Sequence, residues 1–452
     1  MRIPYAVENG CCGDMRRIAI AGIMLLLGMV IKAQTIDERI GAAMNASDFF
    51  GLYDTYYSVP ADSINPFLEV LSRGVIGNRF NRPELSIPAF EELIRDYYGN
   101  LDLNLLISCS VMYSMDLSRV GRNEDAHKLL SAVLATAYQM TDSASLSSYA
   151  EMAGRYKALS RYSPYRISVF GDKGVVPFDT VLVGNIKYQP YLMQMAQSKV
   201  NGMPARITFD TGATVNIITD SLAGVYGLEF LDVNITARGF GEVNGKYAIA
   251  RELELGNITV RDVPFYVIDV RTYKEEVDKH NQALQLIVGS ELMLQLKDVT
   301  LDFGTKEIQV SGNAVEHPDV KPNMCFSPNN LFLGKAEVMG HPMLMVLDSG
   351  AAGYGLLNRH FYDSNKEYIT FNCRKDTINS AGIGGVSQTL CYELLDSELS
   401  IGGTSVKVPS IMVHAGECDG DANSNNSFGL KSMMLFRKVR FNLVDMVLST
   451  EM

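Results

Sequence analysis

The chain has 452 residues, of which 47% are hydrophobic and 20% are charged. This length predicts two or three domains, and the composition excludes both a disordered chain and one that is membrane-spanning throughout. The 40 basic and 51 acidic residues give a net charge of −11. No block of Lys and Arg follows the N-terminal segment, so nucleic acid is not expected as a partner.

Residues 1–33 have the pattern of a secretory signal peptide. Met15-Arg16-Arg17 is a short basic region, the apolar run Ile18–Ile31 follows it, and the small residue Ala33 suits a cleavage site. The run is short for a transmembrane helix, which needs about 20 residues. We expect cleavage after Ala33, with Met15 as a possible true start, and a secreted or periplasmic protein without a stable membrane span. An uncleaved anchor is the alternative.

Residues 34–165 are predicted to form an all-α domain of stacked helical hairpins. In NEDAHKLLSAVLATAYQM the apolar residues recur on one helical face, among them Ala126, Leu130 and Leu134, and Asn123 is the expected N-cap. Further helical patterns cover residues 66–71, 89–98, 101–115 and 146–159. The sequence leaves open whether this domain recruits a protein substrate, masks a cleft or mediates assembly.

After Ser163-Pro164 the pattern changes to β-branched runs separated by Gly and Asn turns. Residues 166–452 are therefore predicted to be all-β, with a first lobe at 166–315 and a second at 316–452. The segments LELGNITVRDVPFYVID and VTLDFGTKEIQVSG each predict two strands joined by a turn.

Cysteine usage gives no firm disulfide framework. An odd number of cysteines follows the predicted signal peptide, so at least one thiol is free or pairs between chains. Cys373 and Cys391 flank one predicted hairpin, and a bridge between them stays open. No CxxC or HExxH motif occurs, so we expect no metal site. The segment DGDANSNN (Asp419–Asn426) resembles a calcium loop but lacks the glycine and glutamate that such loops require.

A carboxylate with no evident partner stands in RITFDTGATVNIIT. Asp210 follows the apolar strand pattern Ile207–Phe209 and precedes a tight turn and a second apolar run. Burial of an unpaired ionised carboxylate is costly. The sequence therefore requires a group that pairs with Asp210.

An internal duplication supplies that group. VNGMPARITFDTGATVNIIT reappears as VMGHPMLMVLDSGAAGYGLL, RGFGEVNG as AGIGGVSQ, LIVGSELM as NSFGLKSM, and VTLDFGTKEIQV as VRFNLVDMVLST. The order of these landmarks is the same in both copies, and each recurs after about 140 residues. Equivalent residues of a twofold duplication meet at its pseudo-axis, so Asp348 is the expected partner of Asp210.

The two Asp-Thr/Ser-Gly-Ala motifs resemble those of aspartic peptidases, above all the retropepsin-like group. The resemblance covers residues 168–448 and implies two fused lobes in one chain. It implies catalytic roles for Asp210 and Asp348. The supporting residues that it implies are Thr211, Gly212, Ala213, Ser349, Gly350 and Ala351.

The resemblance also implies the chemistry. Two adjacent carboxyl groups share one proton, the ionised member activates a water as general base, and the protonated member polarises the peptide carbonyl. Thr211 and Ser349 would lock the two turns together, and Gly212 and Gly350 would let backbone N–H groups reach the carboxylates. Ala213 and Ala351 carry no hydroxyl to donate to the pair.

Two glycine-containing turns match the flap positions of the family, and mobile flaps close over an extended peptide. The candidate flap residues are Gly239, Phe240, Gly241, Gly382, Ile383 and Gly384. Neither tip carries the tyrosine of pepsin-like flaps. The sequence leaves open whether both lobes supply a functional flap or only one, with the second shortened. The second-lobe Ser-Phe-Gly also departs from the apolar-apolar-Gly pattern of the first lobe.

The sequence therefore predicts a secreted aspartic endopeptidase that needs no cofactor and acts on peptide or protein substrates. The alternative is a non-catalytic peptide-binding protein on the same fold.

Overall fold

A computed structural model of the chain describes residues 34–138, 146–183, 191–238, 242–269, 284–311, 317, 320–382, 385–416 and 426–452. The predicted signal peptide lies outside these residues. Within them the chain divides between Arg161 and Tyr162 into two compact units, a helical unit and a β unit.

The helical unit is all-α, as predicted. Its helices are α1 (Ile36–Asn45), α2 (Phe49–Tyr56), α3 (Pro66–Arg79), α4 (Pro83–Asp96), α5 (Leu103–Arg119), α6 (Asn123–Ala137) and α7 (Ser147–Leu159), with short 3₁₀ turns at Ala61–Ser63 and Tyr98–Asn100. Helices adjacent in sequence pack on one another, with the closest packing in the pairs α3–α4, α5–α6 and α6–α7. None of the described helices is long and apolar enough to cross a membrane.

Four of the seven helices described in this unit begin with a side-chain N-cap, and the cap predicted for α6 is not among them. Thr35 and Glu38 form a reciprocal capping box at α1, and the Asp102 side chain accepts from the N–H of Leu105 at α5. Asn123 does not cap α6. It is the first helical residue, and its Oδ1 accepts instead from the Ser118 hydroxyl at 2.7 Å. The Asn123 side chain therefore binds to the preceding helix α5 and does not cap α6.

The β unit contains the predicted strands and several short helices. Its strands are β1 (Arg166–Val169), β2 (Gly174–Pro177), β3 (Asp179–Leu182), β4 (Tyr191–Val200), β5 (Met203–Phe209), β6 (Ile217–Thr219), β7 (Glu229–Arg238), β8 (Glu242–Leu255), β9 (Ile258–Ile268), β10 (Leu286–Val288), β11 (Asp298–Asp302), β12 (Glu307–Val310), β13 (Met324–Phe326), β14 (Phe332–Val338), β15 (His341–Asp348), β16 (Gly355–Leu357), β17 (Arg374–Gly382), β18 (Gly385–Ile401), β19 (Thr404–His414), β20 (Asn426–Gly429), β21 (Lys438–Asn442) and β22 (Val447–Glu451). Its helices are α8 (Asp220–Val225), α9 (Ser290–Leu296), α10 (Arg359–Ser364), α11 (Lys366–Asn372) and α12 (Leu430–Met433).

Two lobes repeat one sheet topology. In the first lobe β10 lies between β5, to which it is parallel, and β6, to which it is antiparallel; β6 then pairs parallel with β9, and β9 antiparallel with β8. In the second lobe β20 lies in the same way between β15 and β16, and β16 pairs with β19 and β19 with β18. The chain therefore consists of a helical unit followed in sequence by a two-lobed all-β unit, with the duplication that the resemblance to retropepsin-like peptidases implied. Ser427-Phe428-Gly429 occupies the place of the first-lobe apolar strand despite its serine.

A third sheet joins the two lobes. Strand β11 of the first lobe pairs antiparallel with β21 of the second, with Thr300 opposite Arg440. The Arg440 guanidinium also forms a two-point ion pair with Asp298, at 2.9 and 2.7 Å. Because β11 and β21 are the repeated segments of the duplication, the lobe–lobe pseudo-axis passes through this pairing.

The predicted hairpins form, whereas the Cys373–Cys391 bridge that the sequence left open does not. Strands β8 and β9 pair up to Leu255 opposite Ile258, and β11 pairs with β12. No disulfide joins Cys373 to Cys391, because Cys373 directly follows α11 and the residue opposite Cys391 in the ladder is Asp376.

Candidate active site

Two equivalent loops present the aspartates. Asp210 directly follows β5, and Asp348 ends β15. The first residue of a helix holds each loop through a backbone hydrogen bond. The N–H of Ser290, which begins α9 after β10, donates to the Ala213 carbonyl at 2.7 Å, and the N–H of Leu430, which begins α12 after β20, donates to the Ala351 carbonyl at 2.9 Å.

Threonine and serine hydroxyls connect the two loops across the lobe boundary. Thr211 Oγ1 donates to the Leu347 carbonyl at 2.7 Å and accepts from the Ser349 N–H at 2.9 Å. Ser349 Oγ donates to the Phe209 carbonyl at 2.9 Å and accepts from the Thr211 N–H at 3.0 Å. Both hydroxyl residues are at most 1% exposed. Each hydroxyl therefore satisfies a buried donor and a buried acceptor of the other lobe.

The glycines of the motif lie against the opposite carboxylates. A Cβ added to Gly212 would lie 2.3 Å from Asp348 Oδ1, and one added to Gly350 would lie 2.3 Å from the Asp210 carboxyl carbon. Asp210 and Asp348 are 2% and 6% exposed. The structure thus brings two buried carboxyl groups together, each flanked by the other lobe's glycine.

Burial and mutual repulsion control the ionisation of this pair. Burial raises the pKa of Asp210 above the usual range of an aspartate, and the charge of Asp348 raises it further. Hydrogen bonds from the N–H groups of Gly212 and Ala213 to Asp210 Oδ1, at 2.9 and 3.1 Å, act in the opposite direction. The Ala351 N–H makes the equivalent bond to Asp348 Oδ1 at 2.9 Å. The result is a site that favours retention of a proton.

This raised pKa makes the stability of the β unit depend on pH. A carboxyl whose folded-state pKa exceeds its unfolded value stabilises the fold fully below the unfolded pKa, and this contribution disappears as pH rises through the folded pKa. Because asparagine does not ionise, Asp210→Asn lacks this loss of stability at high pH. We therefore expect the free energy of unfolding of the wild type, relative to Asp210→Asn, to fall by at least about 1 kcal/mol between pH 4.5 and pH 8.5.

Urea denaturation of both proteins at several pH values measures this difference. Asp232→Asn, at an exposed position of β7, is the matched control and should follow the wild type. Parallel pH curves for the wild type and Asp210→Asn would contradict the raised pKa.

The candidate flaps are the ends of two long hairpins, one in each lobe. Strands β7 and β8 pair up to Arg238 opposite Glu242, and β17 and β18 pair up to Gly382 opposite Gly385. The remaining flap candidates Gly239, Phe240, Gly241, Ile383 and Gly384 lie outside the described residues. The flap role of these turns stays a prediction.

One buried polar residue of the first loop was missed by sequence reasoning. Asn216 Oδ1 accepts from the Gly289 N–H at 3.0 Å, and Asn216 Nδ2 donates to the Pro264 carbonyl at 3.1 Å. A Cβ on Gly289 would lie 2.4 Å from the Ala213 carbonyl oxygen, so only glycine permits this approach. The isolated asparagine between apolar residues was the available signal.

The described residues include no group of three or more His, Cys, Asp or Glu side chains placed to hold a metal ion. The calcium-like loop has only Asn426 within the described chain, where the residue begins β20. Its Oδ1 accepts from the Asn358 N–H at 2.9 Å and its Nδ2 donates to the Leu344 carbonyl at 3.0 Å, which makes it a structural residue of the second lobe.

Part of the first lobe is similar to a known family. Residues 196–292 match the family model described as aspartyl protease. The matched segment contains Asp210 and its loop, the hairpin β7–β8 and the start of α9. The second lobe is related to it by the repeated topology.

One solved structure matches part of this chain. The crystal structure of a retropepsin-like aspartic protease from Rickettsia conorii matches with 12% sequence identity over 32% of this chain and 96% of its own, at a TM-score of 0.20. A TM-score this low says nothing about function. A search of curated proteins finds no match. The similarity to aspartyl proteases is therefore found in the first lobe, over residues 196–292.

Proposed function

We propose that this chain is an exported aspartic endopeptidase in which Asp210 and Asp348 form one catalytic pair. The observation that carries the proposal is the joining of the two aspartate loops by four cross-lobe hydrogen bonds, with both carboxyl groups buried at the junction. The aspartyl protease match over the first lobe supports the same reaction class.

In the proposed mechanism the pair holds one proton. The ionised carboxylate removes a proton from a water molecule, which attacks the peptide carbonyl, while the protonated carboxyl donates a hydrogen bond to the carbonyl oxygen. The amine leaves with a proton from the pair, so each turnover restores the starting state. The raised pKa of Asp210 supports this role, since a fully ionised pair has no proton to donate.

The geometry also supports an extended peptide as substrate. The two hairpins β7–β8 and β17–β18 belong to the lobes that carry the aspartates, and extended chains bind to such hairpins through backbone hydrogen bonds. Side-chain specificity depends on the cleft-lining residues between them.

Cleavage of a peptide library in ¹⁸O-labelled water tests the proposal. We expect new C-termini that carry one ¹⁸O per cleavage and complete inhibition by a pepstatin-type transition-state analogue. Binding of library peptides without any cleavage would instead support the rival function, a peptide-binding protein on a peptidase fold. The rival is less favoured because both aspartates and all four loop-joining hydrogen bonds are intact.

Export is part of the proposal and rests on the signal-peptide pattern of residues 1–33. N-terminal sequencing of the protein recovered outside the cytoplasm should begin at Gln34. Recovery of the protein only in the cytoplasm, with its N-terminus uncleaved, would contradict export.

For the helical unit we propose either substrate recruitment or masking of the cleft, and a fragment separates the two. Residues 162–452 form one compact unit and should fold alone. A mask predicts that this fragment cleaves short peptides faster than the mature chain does. Recruitment predicts equal rates on short peptides and slower cleavage of proteins. Failure of the fragment to fold would show that the helical unit completes the β unit.

A further inference from the structure

The loop that carries Asp210 is held by a side chain that does not belong to the repeated lobe. Asn216 Nδ2 donates to the hydroxyl oxygen of Tyr165 at 3.0 Å, and the Tyr165 hydroxyl donates to Glu291 Oε2 at 2.9 Å. Tyr165 therefore connects the end of the Asp210 loop with α9, the helix whose first N–H closes the same loop. Asn216 is completely buried.

Tyr165 lies in the junction segment, residues 160–165, between the last helix α7 and the first strand β1. Its backbone has a φ of 60°, in the left-handed region that residues other than glycine rarely adopt. Such a conformation persists where the surrounding contacts fix it. Here those contacts are the two hydrogen bonds of the Tyr165 hydroxyl and the pairing of β1 with β9 directly after it.

The second lobe holds its equivalent loop with its own residues. The duplication places Tyr354 at the position of Asn216 and Lys431 at the position of Glu291. The Gly429 N–H and the Ser432 hydroxyl donate to the Tyr354 carbonyl at 3.0 and 2.7 Å. The Lys431 ammonium lies 4.5 Å from the centre of the Tyr354 ring, a cation–π contact.

The comparison shows an asymmetry between the lobes. In the second lobe Tyr354, which belongs to the loop itself, contacts α12. In the first lobe the loop has an asparagine at that position, and the tyrosine comes from the junction segment. The two equivalent helices also carry opposite charges at this position. Glu291 of α9 accepts a hydrogen bond from the Tyr165 hydroxyl, whereas Lys431 of α12 faces the Tyr354 ring.

We propose that Tyr165 is a positioning residue for the catalytic Asp210, which makes the junction segment part of the peptidase site. This inference rests on the proposed function for its catalytic consequence, but the positioning itself is independent of turnover. Removal of the hydroxyl leaves Asn216 Nδ2 with the Pro264 carbonyl and deprives Glu291 of a donor. The Asp210 loop then gains freedom, and small displacements of a catalytic group lower kcat.

Tyr165→Phe tests the proposal against Tyr162→Phe. Tyr162 is the matched control because it lies in the same segment and its hydroxyl also donates to a glutamate, Glu229, at 2.8 Å on an exposed surface. We expect Tyr165→Phe to lower kcat by about 10-fold with KM within about 2-fold. We also expect faster amide hydrogen exchange in residues 211–217, as in a loosened loop. Tyr162→Phe should change neither quantity.

The outcomes separate this proposal from the proposed function. If the wild type cleaves no peptide but exchange in residues 211–217 rises in Tyr165→Phe alone, the positioning holds and the peptidase function fails. Equal behaviour of the two variants in exchange and kcat would overturn the positioning role. If Tyr165→Phe does not fold, Glu291→Gln keeps the side-chain shape and weakens the charge-assisted hydrogen bond. Unchanged loop exchange in Glu291→Gln would then overturn the proposal.

Discussion

Asp210→Asn and Asp348→Asn should each lower kcat/KM by a factor on the order of 10³ or more. Asparagine keeps the size of aspartate but neither ionises nor holds the shared proton, so either change removes the general base or the proton donor. Both carboxyl groups lie at one junction, each against the glycine of the opposite lobe. A single substitution therefore suffices to inactivate the site.

Steady-state kinetics on one cleaved peptide measures this effect, with active-site titration by a tight inhibitor to count folded sites. Asp232→Asn, on the exposed part of β7, is the control and should retain wild-type kinetics. Near-normal activity in either dyad variant would contradict the single-chain pair. It would indicate that each lobe pairs with its twin in a second chain, as in two-chain retropepsins.

Gly212→Ala and Gly350→Ala should each reduce activity on the order of 100-fold without removal of any catalytic group. The new Cβ would lie 2.3 Å from a carboxyl atom of the other lobe's aspartate, closer than any non-bonded contact allows. The carboxylate cannot retreat freely, because backbone N–H groups of its own loop hold it. Either the aspartate rotates or the two lobes separate slightly.

Thermal unfolding and kinetics together distinguish these responses. Rotation of the aspartate alone predicts loss of kcat with little change in Tm, whereas separation of the lobes lowers both. Gly224→Ala in α8 is the matched control, since a Cβ there meets no atom within 4 Å. Retention of activity by Gly212→Ala would show that the two loops are not in contact.

The parts of the site that the sequence predicted are those fixed by local chemistry and repeated in both copies. The tight turn after each aspartate needs glycine, and the resemblance to aspartic peptidases implied the hydroxyl contacts of Thr211 and Ser349 across the axis. The order of the landmarks therefore predicted the pairing of the loops and the two-lobed fold. The repeated strand order β5–β10–β6 and β15–β20–β16 bears out that fold.

The parts that escaped prediction depend on contacts distant in sequence. Asn123 looked like a cap, but packing against α5 offered its side chain the Ser118 hydroxyl. Tyr165 was not singled out, because its partners Asn216 and Glu291 lie far along the chain. The serine of Ser427-Phe428-Gly429 departs from the apolar-apolar-Gly pattern of the first lobe. In the structure its hydroxyl accepts from the Leu356 N–H at 3.0 Å, which satisfies it within the sheet.

The pairing of β11 with β21 has a consequence for how the site assembles. A site built from two separate chains forms only above the dissociation constant of the dimer, so its specific activity falls on dilution. Here the two halves belong to one chain and pair with each other through β11 and β21, so their association is intramolecular and does not depend on protein concentration. Activity per mole should therefore be independent of protein concentration. Because one chain contains both lobes, their sequences need not be identical. The first lobe carries Asn216 and Glu291 at the positions where the second carries Tyr354 and Lys431.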